Sequence, residues 1–123
     1  MIFIDTSALV GSLTGERRLG GELIALLRAG EEVQISSLVL YEWLRGPRTS
    51  QELLQQQKIF PSERAVLFGP EEAARAADLY KRVARARSRE VDLAIAATAI
   101  VRNAPLWTLN PEDFRDIPDL KLV

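Results

Sequence analysis

The sequence of 123 residues contains neither cysteine nor histidine. Without cysteine, the chain can form no disulfide, no thiolate nucleophile and no ordinary structural zinc site. Without histidine, it lacks the commonest general base and the imidazole metal ligand. Carboxylate oxygens are therefore the main groups left for holding a catalytic metal.

Net charge and long apolar runs are also scarce. The formal net charge is −1, so binding of a polyanion would need a local basic patch or metal ions. No apolar run reaches the ~20 residues of a membrane span, and an acid in MIFIDTSALV stands where a signal peptide would carry basic residues. With 47% hydrophobic and 27% charged residues, we expect a single domain over residues 1–123 in the cytoplasm.

Short β-prone runs alternate with helical patterns along the chain. Five such runs predict strands, at residues 1–4, 33–35, 65–68, 106–109 and 120–123. Alternation of this kind implies right-handed crossovers and a parallel sheet covered on both faces. The predicted fold class is α/β, a three-layer α/β/α sandwich with a mostly parallel five-stranded sheet.

Two of the predicted helices concern the possible site. The segment after Pro70 predicts one long amphipathic helix with a basic face, formed by Arg75, Arg82, Arg85 and Arg89. The run VDLAIAATAIV is apolar nearly all round and predicts a buried helix. An earlier helix is indicated by the spacing of leucines, at Leu19, Leu23, Leu26 and Leu27.

Four acids stand beside apolar stretches, away from solvated charged runs: Asp5, Glu42, Asp92 and Asp113. Asp5 and Asp113 come just after predicted strands. Ligands of parallel sheets bind outside the carboxyl ends of the strands. We therefore expect these acids to meet at one edge of the sheet.

Each acid also has a purely structural explanation. Asp5 suits a helix N-cap, but Ser7 suits it equally well, which would leave Asp5 free for function. Glu42 has apolar and aromatic neighbours, and a pair with Arg45 is its simplest structural role. We favour a functional role for Asp5 and Glu42.

The two later acids lie in predicted first turns of helices, where a negative charge is favoured by the helix dipole. We favour function for Asp92, but not for Glu90 two residues earlier. For Asp113, capping chemistry explains the residues as well as function does, because Asn110 can cap and Pro111 fits the first helical position.

Converged carboxylates raise one another's pKa values, and a divalent cation relieves that repulsion. Mg²⁺ and Mn²⁺ take oxygen ligands and bind through few carboxylates together with substrate phosphate. The residues therefore indicate a magnesium- or manganese-dependent nuclease. A weaker hypothesis assigns binding of a phosphodiester backbone to arginines near the acids, namely Arg45, Arg82, Arg85 and Arg89.

Four motifs in order, FIDTSALV, SSLVLYEWLRG, VDLAIAATA and LWTLNPEDFRDIPDLKLV, span essentially the whole chain. With them the sequence resembles the PIN-domain family, most closely the VapC-type toxins of toxin–antitoxin pairs. The resemblance implies a metal-dependent endoribonuclease, a homodimer and a cognate antitoxin. It places the family's acidic quartet on the four acids above, which raises Asp113 over its alternative.

The resemblance also implies supporting residues and shows two departures. The family's hydroxyl after the first acid falls on Thr6, and its Thr or Ser and Asn before the last acid fall on Thr108 and Asn110. Glu90 is an extra acid, and Leu109 replaces an arginine found in many relatives. The alternative from another functional class is a PIN-like module that binds RNA or protein without cleaving.

Overall fold

The sheet is built around the strand β1, Ile2–Ile4, in a computed structural model that describes residues 1–15 and 20–123. β1 lies between β2, Val33–Gln34, and β3, Leu106–Trp107, and pairs with both in parallel. All three residues of β1 are buried. Because neighbouring side chains of a strand point to opposite faces, both faces of the sheet are covered, as expected of a parallel sheet.

The predicted α/β class and parallel sheet are confirmed, but the prediction of five strands is wrong, because the described residues contain three. Val66 forms a single parallel bridge with Ser36, and Leu122 forms one with Leu106. The 3-10 helix Ser62–Arg64 precedes the first bridge, and Asp119, with φ 68°, precedes the second. These tight turns leave each segment alongside its neighbour for one residue only.

Six α-helices surround this sheet in the described ranges: α1 Thr6–Leu13, α2 Gly20–Arg28, α3 Ser37–Arg45, α4 Ser50–Ile59, α5 Pro70–Arg82 and α6 Glu90–Val101. Local capping explains several of their starts. The Ser36 hydroxyl accepts from Val39 N at 3.2 Å, and Thr49 and Glu52 form a capping box at α4. Leu19 of the predicted leucine pattern lies outside the described residues, and no described helix is long and apolar enough to cross a membrane.

The predicted basic face on one long helix is wrong. α5 ends at Arg82, because Val83 takes an extended conformation with φ −100° and ψ 155°, and Arg85 then takes a left-handed conformation with φ 54°. A separate 3-10 helix follows, Ala86–Arg89, and leads directly into α6. Arg85 and Arg89 therefore lie in the connection, which turns the chain so that α6 packs against α5.

The predicted buried helix is confirmed as α6, which carries six buried residues. Leu93 is 1% exposed and Ala96 is 0% exposed. α6 also contacts α3, the helix that carries Glu42. Its first turn therefore brings Asp92 to the side of the molecule where α3 lies.

Leu106 offers a test of the sheet, because its side chain is fully buried and its backbone bonds Lys121 and Val123 at 2.9 and 3.0 Å. We expect Leu106→Ala to lower the free energy of unfolding by about 2–5 kcal/mol through lost burial and a cavity. Leu54→Ala is the matched control, because Leu54 is 64% exposed, and it should cost less than about 0.5 kcal/mol. Equal losses in urea unfolding would contradict this description of the core.

Candidate active site

Asp5 lies directly after β1, and the sheet fixes its backbone. Its N–H donates to the Trp107 carbonyl at 2.8 Å, and its own carbonyl accepts from Leu9 N at 2.9 Å. Asp5 occupies the N-cap position of α1, yet its side chain makes no capping bond. The carboxylate is thus held at the carboxyl edge of the sheet, 5% exposed, and is not used for capping.

Two hydroxyls orient the Asp5 carboxylate. Thr108 Oγ1 donates to Asp5 Oδ2 at 2.7 Å, and Ser7 Oγ donates to the same oxygen at 3.0 Å. Ser7 Oγ also accepts from Leu109 N at 3.0 Å, which ties α1 to the segment after β3. Sequence reasoning considered Ser7 only as a cap and missed this role, although its place two residues after the strand-end acid was the available signal.

Glu42 sits on α3 with a side chain 16% exposed. Thr6 Oγ1 donates to its Oε1 at 2.6 Å, and Arg45 Nη2 donates to its Oε2 at 3.3 Å. The pair with Arg45 that sequence reasoning offered as the structural role is therefore present. The bond from Thr6, the residue next to Asp5, also brings Glu42 to the same edge of the sheet.

The pKa of Asp92 depends on burial as well as on the other three acids. Burial above all, followed by the negative charges of Asp5, Asp113 and Glu42, raises the pKa of Asp92 from 3.8 to about 6. The positive charge of Arg89 acts in the opposite direction. Three carboxylates from separate parts of the chain are thus near enough to Asp92 to act on it electrostatically.

Asp113 closes the 3-10 helix Pro111–Asp113 and is exposed. Pro111 stands at the first helical turn as predicted, but the Asn110 side chain makes no capping bond, contrary to the capping role considered for it. Asn110 N instead donates to Thr108 Oγ1 at 3.0 Å. Thr108 therefore links the Asp5 carboxylate to the turn that carries Asp113.

The four carboxylates of the described residues do not form a preassembled metal site. Within residues 1–15 and 20–123, no group of three or more acids is gathered tightly enough to hold a metal ion as it stands. Burial and, after it, the negative charges of the other three acids make the charged form of Asp92 costly in this arrangement. The donors are carboxylate and hydroxyl oxygens, which suit Mg²⁺ and Mn²⁺ in kind.

A cavity of about 300 Å³ adjoins these acids. Glu42 and Asp92 lie in its wall, together with the 3-10 helix residues Arg87, Ser88 and Arg89 and the extra acid Glu90. Glu90 is exposed at the first position of α6. Because Glu90 lines the same cavity as Glu42 and Asp92, it lies beside the site.

The candidate RNA-binding arginines differ in their exposure and in their ion pairs. Arg45 is 56% exposed and lies 5.3 Å from the centre of the Tyr41 ring, and Arg82 is 49% exposed and pairs with Asp78 at 3.0 Å. Arg85 is exposed in the connection before α6. Arg89 is different, because its side chain is only 12% exposed and forms an ion pair with Asp116.

Comparisons with known proteins identify the family of the chain. A family model described as the PIN domain matches residues 2–120. The chain belongs to the PIN-domain family. The resemblance inferred from the motifs is thereby confirmed.

The relatives of this PIN domain extend over its whole length. Ribonuclease VapC19 of Mycobacterium tuberculosis is 39% identical over 124 residues, which is 98% of each chain. In VapBC2 from Rickettsia felis bound to a promoter DNA fragment, a chain 23% identical superposes with a TM-score of 0.74, covering 100% of this chain and 98% of that one. In DNA-bound VapBC from Salmonella typhimurium, the values are 18% identity, a TM-score of 0.77, and 99% and 96% coverage. These structures share the fold of the chain.

The raised pKa of Asp92 gives a test on the metal-free PIN domain. Because the fold disfavours the Asp92 carboxylate, the protein loses stability as the pH rises from about 4 to about 6, and the cost is full above that. Asp92→Asn removes the cost, so we expect the variant to be more stable near neutral pH. The rise in the pKa of Asp92 from 3.8 to about 6 corresponds to about 3 kcal/mol of unfolding free energy. Solvent screening at this half-exposed site reduces the expected gain to about 1 kcal/mol.

The measurement is urea unfolding in chelator between about pH 4 and 8, where the gain should vanish near the acid end. Glu63→Gln, which neutralises an exposed acid in the 3-10 helix Ser62–Arg64, is the control and should show no such gain. A gain from Asp92→Asn that is equal at all pH values would show that repulsion among the acids is not its cause.

Proposed function

We propose that this PIN domain, a single domain over residues 1–123, is a metal-dependent endoribonuclease and the toxin of a VapBC-type toxin–antitoxin pair. The observation that carries the proposal is the full-length match, at 39% identity, to a protein named a ribonuclease. The mutual influence of four acids at the sheet edge supports it, because phosphodiester cleavage by a divalent cation needs such a group of oxygen donors.

Asp5, Asp92 and Asp113 are proposed as the principal ligands of Mg²⁺ or Mn²⁺, with Glu42 as a fourth ligand or as the group that positions water. When bound, the cation would neutralise charge on the phosphate and lower the pKa of water. The carboxylates must draw together to bind it, since they are not gathered tightly in the described residues. Metal affinity therefore depends on how firmly the protein holds the helices and turns that carry these carboxylates.

The hydroxyls at the site hold two of these carboxylates in place. Ser7 and Thr108 both donate to one oxygen of Asp5, which fixes the orientation of that carboxylate. Thr6 does the same for Glu42 through Oε1. These bonds lower the freedom that a carboxylate would lose on binding an ion, which favours binding.

RNA is proposed to lie across the exposed edge of the site. Arg45 is next to Glu42 and largely exposed, which suits a contact to the phosphate backbone. Arg82 and Arg85 follow near the end of α5. The contacts of Arg89 support a different role, described in the next subsection.

We also propose a cognate antitoxin and a homodimer, in the cytoplasm. The support for an antitoxin is that structures with this fold include VapBC assemblies and a toxin–antitoxin complex from Klebsiella pneumoniae, which matches with a TM-score of 0.74. The homodimer is proposed from the family alone.

One observation favours a second candidate, a PIN-like module that binds RNA or protein without cleaving it. The acids in the described ranges are not grouped tightly enough to hold an ion as they stand. A domain of this kind would bind RNA equally well with and without a divalent cation.

A cleavage assay separates the two functions. With Mg²⁺ or Mn²⁺ the protein should cut RNA into products with 5′-phosphate and 3′-hydroxyl ends, and chelator should abolish the cut. Asp5→Asn should lower the rate by at least about 100-fold, because it removes a proposed ligand. Glu63→Gln removes one negative charge away from the site and should cleave normally.

Cleavage that survives both chelator and Asp5→Asn would refute the metal mechanism. RNA binding that is independent of metal, with no cleavage by the unmodified protein, would establish the binding module instead.

A further inference from the structure

We propose that Arg89 is a positioning residue that sets the spacing of Asp92 and Asp113 through its ion pair with Asp116, and that it does not contact RNA. The inference rests on the proposed function, because it treats Asp92 and Asp113 as metal ligands. It concerns how the protein holds these two acids, which neither the motifs nor the relatives describe.

The Arg89 guanidinium has an acceptor for each N–H of its two terminal nitrogens. Nη1 donates to Asp116 Oδ2 at 2.9 Å, and Nη2 donates to Asp116 Oδ1 at 2.6 Å. Nη1 also donates to the Ala84 carbonyl at 3.0 Å, and Nη2 to the Asp113 carbonyl at 2.9 Å. Such a two-pronged pair with a carboxylate fixes the plane of the guanidinium.

The shielding of the arginine separates this pair from the pairs of Arg75 and Arg82. The Arg89 side chain is 12% exposed, against 36% for Arg75 and 49% for Arg82, whereas its partner Asp116 is 52% exposed. A shielded guanidinium that loses one acceptor is left with an N–H that water reaches poorly. A phosphate could bind the Nη atoms of Arg89 only by displacing these contacts.

The place of Arg89 in the chain connects two of the acids. Arg89 directly precedes α6 and stands three residues before Asp92. Its guanidinium reaches the Asp113 carbonyl, 24 residues further along the chain. One side chain therefore joins the start of the helix that carries Asp92 to the turn that carries Asp113.

The contacts of Arg89 support the turn that carries Asp113. Asp113 is exposed, and the short 3-10 helix that ends with it has no side-chain cap at Asn110. The bond from Arg89 to the Asp113 carbonyl and the pair with Asp116 hold the chain on both sides of Phe114. Without them, Asp113 would have more conformations to lose when a cation binds, and affinity would fall.

The test compares variants at this pair by Mn²⁺ affinity without RNA, and by kcat and KM for RNA cleavage. Arg89→Lys keeps the charge but cannot make the two-pronged contact. We expect Mn²⁺ affinity and kcat to fall about 10- to 100-fold in Arg89→Lys and Asp116→Asn, with KM changed by less than about 2-fold. Asp116→Glu, which keeps the carboxylate, should restore part of both losses.

Arg75→Lys and Asp119→Asn are the matched controls, because they alter a more exposed pair with an N–O distance of 3.5 Å. Both should bind Mn²⁺ and cleave normally. Thermal unfolding of every variant checks folding, and Asp116→Asn keeps the test open if Arg89→Lys does not fold.

The outcomes are distinct. Normal Mn²⁺ affinity with a raised KM in Arg89→Lys would overturn the positioning role and assign Arg89 to RNA binding. Normal Mn²⁺ affinity, kcat and KM in both Arg89→Lys and Asp116→Asn would also overturn the positioning role. An unmodified protein that neither binds Mn²⁺ nor cleaves RNA would overturn the proposed function itself.

Discussion

Repulsion among four carboxylates at one edge of the sheet is the constraint on which the site depends. Water would separate these charges, so the backbone and several side chains must hold them near one another. β1 and β3 fix Asp5 through its N–H, and Ser7 and Thr108 orient its carboxylate. Thr6 holds Glu42 from the first position of α1. Burial and the charges of the other three acids raise the pKa of Asp92, and a divalent cation would offset the repulsion among the acids.

Local signals predicted much of the fold. The strand in MIFI and the apolar helix α6 follow from neighbouring residues and are confirmed. The failures occurred where distant parts of the chain decide. Whether 65–68 and 120–123 form strands depends on the turns that deliver them to the sheet. The extended backbone at Val83 ended a helix whose basic face the spacing alone had extended to Arg89.

The site shows the same division. The positions of Asp5 and Asp113 after strands predicted the edge at which the acids meet, and their electrostatic influence on Asp92 agrees with that expectation. The contact between Arg89 and Asp116 spans 27 residues and left no local pattern to detect. Sequence reasoning grouped Arg89 with exposed arginines, because spacing cannot reveal which of several similar side chains becomes buried.

The parallel pairing of β1 with β3 joins Phe3 to Leu106, two residues far apart in the sequence. A nascent chain on the ribosome can present Asp5 early, but it lacks both β3 and Asp113 until the helices α1 to α6 and the segment that follows them have been synthesised. Pairing of distant segments also comes late in folding, because the loop between them must close first. If the proposed site is correct, a ribonuclease built in this way stays inactive beside the messenger RNA that encodes it until the residues of β3 and Asp113 have joined the chain.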